Sequence, residues 1–413
     1  MTYSRSRTLN VKKTKKRNRT RALLALNGIL LCAIVAVAIA VWKSKDGNGA
    51  ADGPSREPAA TSSPQPSGSA PADSGSDDGR PASEENGDGE ESASPASADG
   101  AIKLAFVGDV LPAAKVLELM KINGYDYPFR EAKELLSSAD IAAGNLETPI
   151  SERGIPAENK QFVFRGSAEA VPELKNAGFD FFSLANNHTL DYGWDGLSDT
   201  MDALDDAGLQ HAGSGNDDRE AYAPAYIEKN GTTVGFVSVT RVVPEVAWKA
   251  ERNHPGVAEA YSPQRAVQAI MEAKENADIV VVMVHWGVER ADKPVEHQTD
   301  LAHRFVDAGA DLVIGSHPHV LQGFEAYKGK WIAYSLGNFV FSTTTSPKTS
   351  ETGVLSAACD KDGACKLSFA PMFAKQSQPA PMEEPEGKAL LARLSELSYG
   401  AAVGEDGAIV AKN

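Results

Sequence analysis

Short apolar segments alternate with helical patterns over residues 101–413, and this alternation restricts the fold more than any other feature of the sequence. The first segment is IKLAFVG at 102–108, and similar segments recur up to DLVIG at 311–315. Buried strands separated by helices are typical of an α/β sheet with largely parallel strands. Hairpin patterns after residue 319 predict a mixed or second sheet. The predicted fold class is therefore α/β.

Polar side chains follow five of the predicted strands at the point where each strand ends. Because the carboxyl ends of strands in an α/β sheet form the usual ligand crevice, these side chains are expected to converge. Four of the eight histidines of the chain lie at such ends. Carboxylates, amides and neutral imidazoles are suitable ligands for Mn²⁺, Zn²⁺ or Fe²⁺, so one or two such ions are expected. The strand-end side chains are Asp109, Asn145, Glu147, Asn187, His188, His285, His317 and His319.

The segment His317-Pro318-His319 adds to this expectation. Residues two apart in an extended segment point in the same direction, so both rings are predicted to face one site. A single strand-end histidine is more often a hydrogen-bonded core or loop residue. It is the convergence of the whole set that favours a metal site.

The first 100 residues differ from the rest of the chain. Residues 22–42 form an uncharged apolar run of 21 residues, which as a helix would span about 30 Å, the thickness of a bilayer core. Nine Lys and Arg precede this run, so the positive-inside rule predicts a cytoplasmic tail at 1–21 and an extracellular C-terminal domain on a single-pass anchor in the cell membrane. A cleaved signal peptide is the alternative, and it also predicts export.

Residues 43–100 are predicted to form a disordered acidic tether. They are rich in Gly, Pro, Ser, Ala, Asp and Glu and contain no aromatic residue. Such a composition cannot bury enough apolar surface to offset the entropy lost on ordering. The tether is expected to hold a folded domain away from the membrane.

The charge of the chain excludes one class of partner. The sequence has 41 Lys and Arg against 56 Asp and Glu, a formal net charge of −15. A nucleic-acid partner is not expected, because neutralising phosphates requires a basic surface. The same charge opposes tight non-specific binding of polyanions but is compatible with a local basic groove.

Two of the three cysteines are close together between late strands. Cys359 and Cys365 flank the five residues 360–364. In an extracellular domain a structural disulfide that closes this hairpin is expected.

Seven short segments match one known family in sequence and in order. They are GDV (108–110), GNLETPI (144–150), FRG (164–166), SLANNHTLDYG (183–193), HWGVE (285–289), GSHPH (315–319) and YSLGNFVF (334–341). As a set they resemble the CapA family of bacterial poly-gamma-glutamate capsule synthesis proteins.

The resemblance covers residues 102–345 and implies both a fold and a role. The implied fold is a four-layer α/β/β/α metallophosphoesterase-like (calcineurin-like) sandwich, which we expect over 101–380 with a C-terminal helix and tail at 381–413. The implied role is the synthesis or export of an anionic γ-linked glutamate polymer or a related envelope polymer. Other membrane subunits of a polymer synthase are the expected partners.

The resemblance also implies roles for individual residues. Asn187 and His188 match an Asn-His pair in which Asn is a metal ligand and His is the general acid or transition-state stabiliser. Asp191 would orient His188, as a carboxylate fixes the tautomer of an imidazole. The other implied metal ligands are Asp109, His285, His317 and His319.

Two positions depart from the wider metallophosphoesterase pattern. Leu111 stands where that pattern has a ligating histidine, and Asn145 stands where it has a metal-bridging aspartate. Glu147, two residues further on, is a possible substitute. A one-metal site and a two-metal site both remain open.

Two classes of function follow. In the first, the domain is a metal-dependent hydrolase that acts on a phosphoester, or on the bonds or ends of the polymer, with water as nucleophile and His188 assisting. In the second, it is a non-catalytic subunit that binds polymer and supports a membrane synthase. Arg165 is the predicted substrate-binding residue, with Lys160 and Arg241 as further cations that could meet an anionic chain.

Overall fold

The structure is a computed structural model that describes residues 100–342 and 346–412. The first half of this part of the chain contains β1 (Ile102–Val110), α1 (Ala114–Asn123), α2 (Lys133–Ser137), β2 (Ile141–Leu146), α3 (Val171–Asn176), β3 (Phe181–Ser183), α4 (Gly193–Asp206), β4 (Gln210–Ala212), β5 (Ser214–Gly215), α5 (Asp218–Tyr222), β6 (Ala225–Lys229), β7 (Thr232–Thr240) and β8 (Gly256–Val257). The second half contains α6 (Gln264–Asn276), β9 (Ile279–His285), α7 (Glu296–Asp307), β10 (Leu312–Ser316), β11 (Phe324–Tyr327), β12 (Lys330–Ala333), β13 (Asn338–Val340), β14 (Glu351–Cys359), β15 (Cys365–Lys375), β16 (Gln378–Pro381), α8 (Glu384–Leu397), β17 (Ala401–Val403) and β18 (Ala408–Ala411).

The strands form two main sheets. The large sheet has the order β17-β18-β15-β14-β1-β2-β3-β4, with β13 also paired to β1 and β16 to β15. The small sheet has the order β11-β12-β10-β9-β7-β6. Strands β1 to β4 are mutually parallel, as are β7, β9, β10 and β12, whereas the late strands β14 and β15 are antiparallel. The predicted mixture of parallel strands and late hairpins is therefore present.

The two sheets pack face to face, with helices on their outer faces. Phe181 of the large sheet and Phe236 of the small sheet stack with ring centroids 4.2 Å apart in the shared core. Leu174 of α3 lies in the cluster on the outer face of the large sheet, and Phe305 of α7 lies in the cluster on the outer face of the small sheet. Because both faces are covered, the central strands are continuously apolar. The layers follow the order helix, sheet, sheet, helix.

The C-terminal segment differs from the prediction of a helix and a tail at 381–413. Helix α8 is followed by two strands, and β18 pairs with β15 through Leu367 and Ile409. Ile409 is buried in the core between the sheets, so burial of its side chain accounts for the pairing. This segment therefore extends the large sheet, and the predicted boundary at residue 380 does not separate it from the domain.

The hairpin of β14 and β15 ends at the two cysteines. Cys359 and Cys365 are register partners and are joined by a disulfide. Apart from Gly100, the last residue of the predicted tether, the predicted cytoplasmic tail, transmembrane helix and tether lie outside the described residues. Within residues 100–342 and 346–412, no helix combines the length and the apolar character needed to cross a bilayer.

Candidate metal centre

Strand ends from both sheets converge on one buried site. In the large sheet Asp109 of β1 is the register partner of Asn145 of β2. In the small sheet His285 of β9 is the register partner of Ser316 of β10. All four residues are buried. The parallel pairing thus places polar side chains from neighbouring strands at the same carboxyl edge, as the sequence predicts.

Glu147 lies at the middle of this site. Its side chain is fully buried, and neither carboxylate oxygen has a hydrogen-bond partner within the described part of the chain. The Oε1 atom lies 3.7 Å from Nε2 of His285 and 3.9 Å from Nε2 of His319. A buried carboxylate without a partner is costly, so its position among imidazoles suits a bound cation.

Two groups of possible metal ligands share Glu147. The imidazole-rich group consists of Glu147, His285 and His317, and the carboxylate-rich group consists of Asp109, Glu147 and His319. Within each group the possible ligand atoms all lie within 4.8 Å of one another. Carboxylate and imidazole atoms at such spacing can close around a divalent ion with small side-chain movements.

The electrostatics of the site favour a cation. Burial, and next the negative charge of Asp109, raise the pKa of Glu147 well above its ordinary value. Burial also places the pKa of His285 well below its ordinary value and lowers the pKa of His317 to about 3, so both rings are neutral near pH 7. Burial alone would lower the pKa of His319, but the hydrogen bond and charge of Asp109 outweigh it and raise that pKa. Neutral imidazoles beside carboxylates are in the state that binds metal.

The backbone at His317 and His319 corrects one expectation. The segment is not extended, because φ is 94° at His317 and 56° at His319. Positive φ is unfavourable for residues with a Cβ and is found mainly where function or tertiary structure demands it. The turn places His317 in the imidazole-rich group and His319 in the carboxylate-rich group. The two rings therefore belong to different ligand groups, although each has a ring nitrogen within 4.8 Å of a carboxylate oxygen of Glu147.

The two amides predicted as ligands, Asn145 and Asn187, are hydrogen-bonded to other site residues. Asn145 donates from Nδ2 to Oδ1 of Asp109 at 2.9 Å and accepts at Oδ1 from Asn186 at 3.1 Å. The Oδ1 atom of Asn187 lies 2.7 Å from Nε2 of His285. Asn145 thus links Asp109 to the next loop, whereas Asn187 adjoins the imidazole-rich group. Leu111 has an apolar side chain that is completely buried and provides no ligand atom.

His188 is held by a polar cluster next to the metal ligands. Its Nδ1 lies 2.7 Å from Oδ2 of Asp191 and 2.8 Å from Nζ of Lys160. Lys160 also donates to the carbonyl oxygen of Asn187 at 2.6 Å and pairs with Asp191. The ring of Phe164 lies 4.6 Å from that of His188. Burial lowers the pKa of His188 and that of Lys160.

The ammonium group of Lys160 therefore contacts other residues of the protein, Asn187, His188 and Asp191. This differs from its predicted role as a cation that contacts an anionic chain. Arg165 is half-buried, and its guanidinium is 4.2 Å from the ring centre of Tyr192. Arg241 stacks in the same way on Tyr261 at 4.0 Å.

Three polar residues that support the ligands are absent from the sequence prediction. Ser316 Oγ lies 2.9 Å from Nδ1 of His285, and Asn338 Oδ1 lies 2.9 Å from Nδ1 of His319. Asn186 donates to Asn145 and to the carbonyl oxygen of Leu146. The only available signal was their place within the matched segments, next to or opposite predicted ligands. Such second partners orient imidazoles and are part of a metal site.

The family of the chain follows from comparison with known proteins. The family model described as "Bacterial capsule synthesis protein PGA_cap" matches residues 103–343, which is more than half of the chain. The chain belongs to the PGA_cap family. Every strand-end residue described above lies inside the matched range.

Two relatives of this PGA_cap protein are similar over most of their length. The "PGA biosynthesis protein CapA" of Bacillus subtilis is 33% identical over 313 residues, 75% of this chain and 82% of that protein. The "Capsule biosynthesis protein CapA" of Bacillus anthracis is 34% identical over 288 residues, 68% of this chain and 69% of that protein. Among solved structures, a phosphatase from Mycoplasma pneumoniae matches 66% of this chain and 94% of its own with 14% identity and a TM-score of 0.44, which is a distant likeness.

Proposed function

We propose that this PGA_cap protein acts in the synthesis or export of capsular poly-gamma-glutamate or a related envelope polymer, as a metal-dependent hydrolase with a metallophosphoesterase-like fold. The names of the Bacillus relatives support the polymer and the capsule. The uncharged apolar run at 22–42 supports a single-pass membrane anchor with the folded domain outside the cell. The two stacked sheets with the site at their carboxyl edge support the fold.

One observation carries the hydrolase part of the proposal. The carboxylate of Glu147 is fully buried and has no hydrogen-bond partner among the described residues, and it is shared by two groups of possible metal ligands. Removing a carboxylate from water without compensation costs several kcal/mol, roughly, which a folded protein rarely tolerates. One or two ions of Mn, Zn or Fe, held by the two ligand groups, would neutralise this charge.

The protein side chains supply the remaining chemistry. When bound, the metal would lower the pKa of a water molecule and polarise the oxygen of the scissile bond. With its proton on Nδ1, which lies 2.7 Å from Oδ2 of Asp191, His188 would have Nε2 free to move a proton to or from the reacting groups. Lys160 ties the same cluster to the backbone of Asn187 and so holds His188 beside the ligands. The bond that is cleaved would be a phosphoester or a bond of the polymer.

A second function has support from one observation. Both polar atoms of Asn145 are used in hydrogen bonds to protein, and Leu111 offers no ligand, so two positions of the wider metallophosphoesterase pattern are lost. A non-catalytic subunit that binds polymer and supports a membrane synthase would tolerate this loss.

Metal content and turnover separate the two functions. The full chain, purified in detergent, is analysed by plasma mass spectrometry beside the double variant His317→Ala/His319→Ala. A hydrolase should contain one or two equivalents of Mn, Zn or Fe that the double variant lacks. Poly-gamma-glutamate and a chromogenic phosphoester are then tested as substrates with His188→Ala and with the exposed control His254→Ala. Metal-free protein that takes up no ion when offered it, or full turnover by His188→Ala, would reject the hydrolase.

A further inference from the structure

The arginines of the described residues fall into two classes. Of the ten, five form ion pairs with carboxylates: Arg130, Arg153, Arg219, Arg265 and Arg393. Five have no ion pair or side-chain hydrogen bond within residues 100–342 and 346–412, and three of these, Arg165, Arg241 and Arg290, lie on segments whose backbone contacts the residues of the site. In a chain with a net charge of −15, guanidinium groups without an ion pair create a local positive potential that attracts anionic ligands.

A backbone N–H group at or next to each of the three arginines forms a hydrogen bond to a segment of the site. The N–H of Arg241 donates to the carbonyl oxygen of His285 at 2.8 Å, and the N–H of Arg290 donates to that of Pro318 at 2.7 Å. Arg165 directly follows Phe164, whose N–H donates to Asp191 at 2.7 Å. The three guanidinium groups therefore come from three different loops that contact the ligand segments.

Two of these groups are held in a defined orientation. The guanidinium groups of Arg165 and Arg241 lie 4.2 and 4.0 Å from the ring centres of Tyr192 and Tyr261, respectively. Stacking occupies the face of a guanidinium and leaves its N–H edge free for a bidentate contact with a carboxylate or phosphate. Both arginines are half-buried, whereas Arg290 is exposed. Pre-orientation reduces the entropy lost when an anion binds.

We propose that Arg165, Arg241 and Arg290 bind successive carboxylates of a polyanionic chain around the metal centre. Three separate bidentate groups on three loops fit a ligand with several spaced anionic groups better than one small anion. The identity of that ligand as a γ-linked glutamate chain rests on the proposed function. The three arginines would hold the polymer chain while the metal centre acts on a bond within the chain or at its end.

The test measures binding, which does not depend on turnover. A fluorescent γ-linked glutamate oligomer of about ten residues is titrated into the full chain in EDTA, and anisotropy gives Kd. Because a charge-assisted contact is worth a factor of about ten, Arg165→Gln and Arg241→Gln should each weaken binding about tenfold, and the exposed Arg290→Gln less. Arg304→Gln, an exposed and unpaired arginine on α7, is the matched control and should bind as the wild type does.

Two results would overturn the inference. One is wild-type affinity in the triple variant of Arg165, Arg241 and Arg290. The other is complete displacement of the oligomer by millimolar inorganic phosphate, which indicates a site for one phosphate. The variant His317→Ala/His319→Ala should keep its affinity for the oligomer. The two proposals can therefore fail separately. Absence of bound metal would reject the hydrolase without affecting the measured oligomer affinities. Unchanged affinity in the arginine variants would reject the arginine site without affecting the measured metal content.

Discussion

The imidazole-rich group and the carboxylate-rich group share Glu147 but differ in their chemistry and their origin. The first takes His285 from the end of β9 and His317 from the residue directly after β10, whereas the second combines Asp109 of the large sheet with His319, which lies further along the loop after β10. Imidazoles suit Zn²⁺ and Fe²⁺, and carboxylates suit Mn²⁺ and Mg²⁺. Each group nevertheless needs side chains from both sheets. Packing of the sheets therefore builds the centre, and Glu147 couples its two halves.

The substitution Glu147→Gln should have the largest effect because it removes the member common to both groups. Metal content should fall from one or two equivalents to nearly none, measured by plasma mass spectrometry. The metal-free protein should become more stable by about 3 kcal/mol, because a neutral amide replaces a buried carboxylate that has no hydrogen-bond partner among the described residues. Urea denaturation measures this change. Glu152→Gln, at an exposed glutamate, is the control, and unchanged metal content in Glu147→Gln would contradict a shared ligand.

Single substitutions of His317 and His319 should separate the two groups. Each removes one imidazole from a different group, so each should reduce metal content by up to one equivalent in a two-metal protein. His317→Ala should weaken Zn²⁺ binding more, and His319→Ala should weaken Mn²⁺ binding more. Titration of the metal-free variants with each ion measures the difference. Equal losses of both ions in both variants would indicate a single site formed by all the ligands.

The pH dependence of stability should give a smaller effect. The pKa of His317 is about 3 in the folded protein, below the ordinary value of about 6.5 in the unfolded chain. The unfolded state therefore binds protons first, and stability is lost as the pH falls below 6.5. Between pH 7 and pH 5 the metal-free protein should lose about 2 kcal/mol through this residue.

Urea midpoints at the two pH values test this prediction: His317→Gln should lose about 2 kcal/mol of the dependence and keep the part that arises from the lowered pKa values of His285 and His188. The variants are compared in the Glu147→Gln background, because the raised pKa of Glu147 acts in the opposite direction. An identical pH slope with and without His317 would show that its imidazole does not titrate in this range.

Much of the centre could be predicted because strand and ligand share a short stretch of sequence. Asp109 and His285 each follow an uninterrupted apolar run, so the sequence reveals both the strand and the group at its end. Parallel pairing then brings such ends together without further information. The α/β class and the late hairpins were predictable for the same reason.

The remaining parts depend on loop conformation, which local patterns do not encode. Lys160 reaches His188 across 28 residues of sequence, through a segment with no regular periodicity. The pairing of β18 with β15 joins residues about 40 apart and depends on burial of Ile409. The turn at His317 and His319 has positive φ, whereas their spacing suggested an extended strand. Such features become visible only when the tertiary contacts are known.

Strand β1 connects two distinct regions of the folded domain. It begins at Ile102, opposite Cys359 at the disulfide-closed end of the hairpin, and reaches Asp109 seven residues later. At about 3.3 Å per residue, roughly 23 Å separates the two ends. The first residue of β1 therefore lies at the end of the strand opposite to the metal centre. Because β1 is paired with β14 on one side and with β2 on the other, it is a rigid link between the disulfide-closed hairpin and the metal centre.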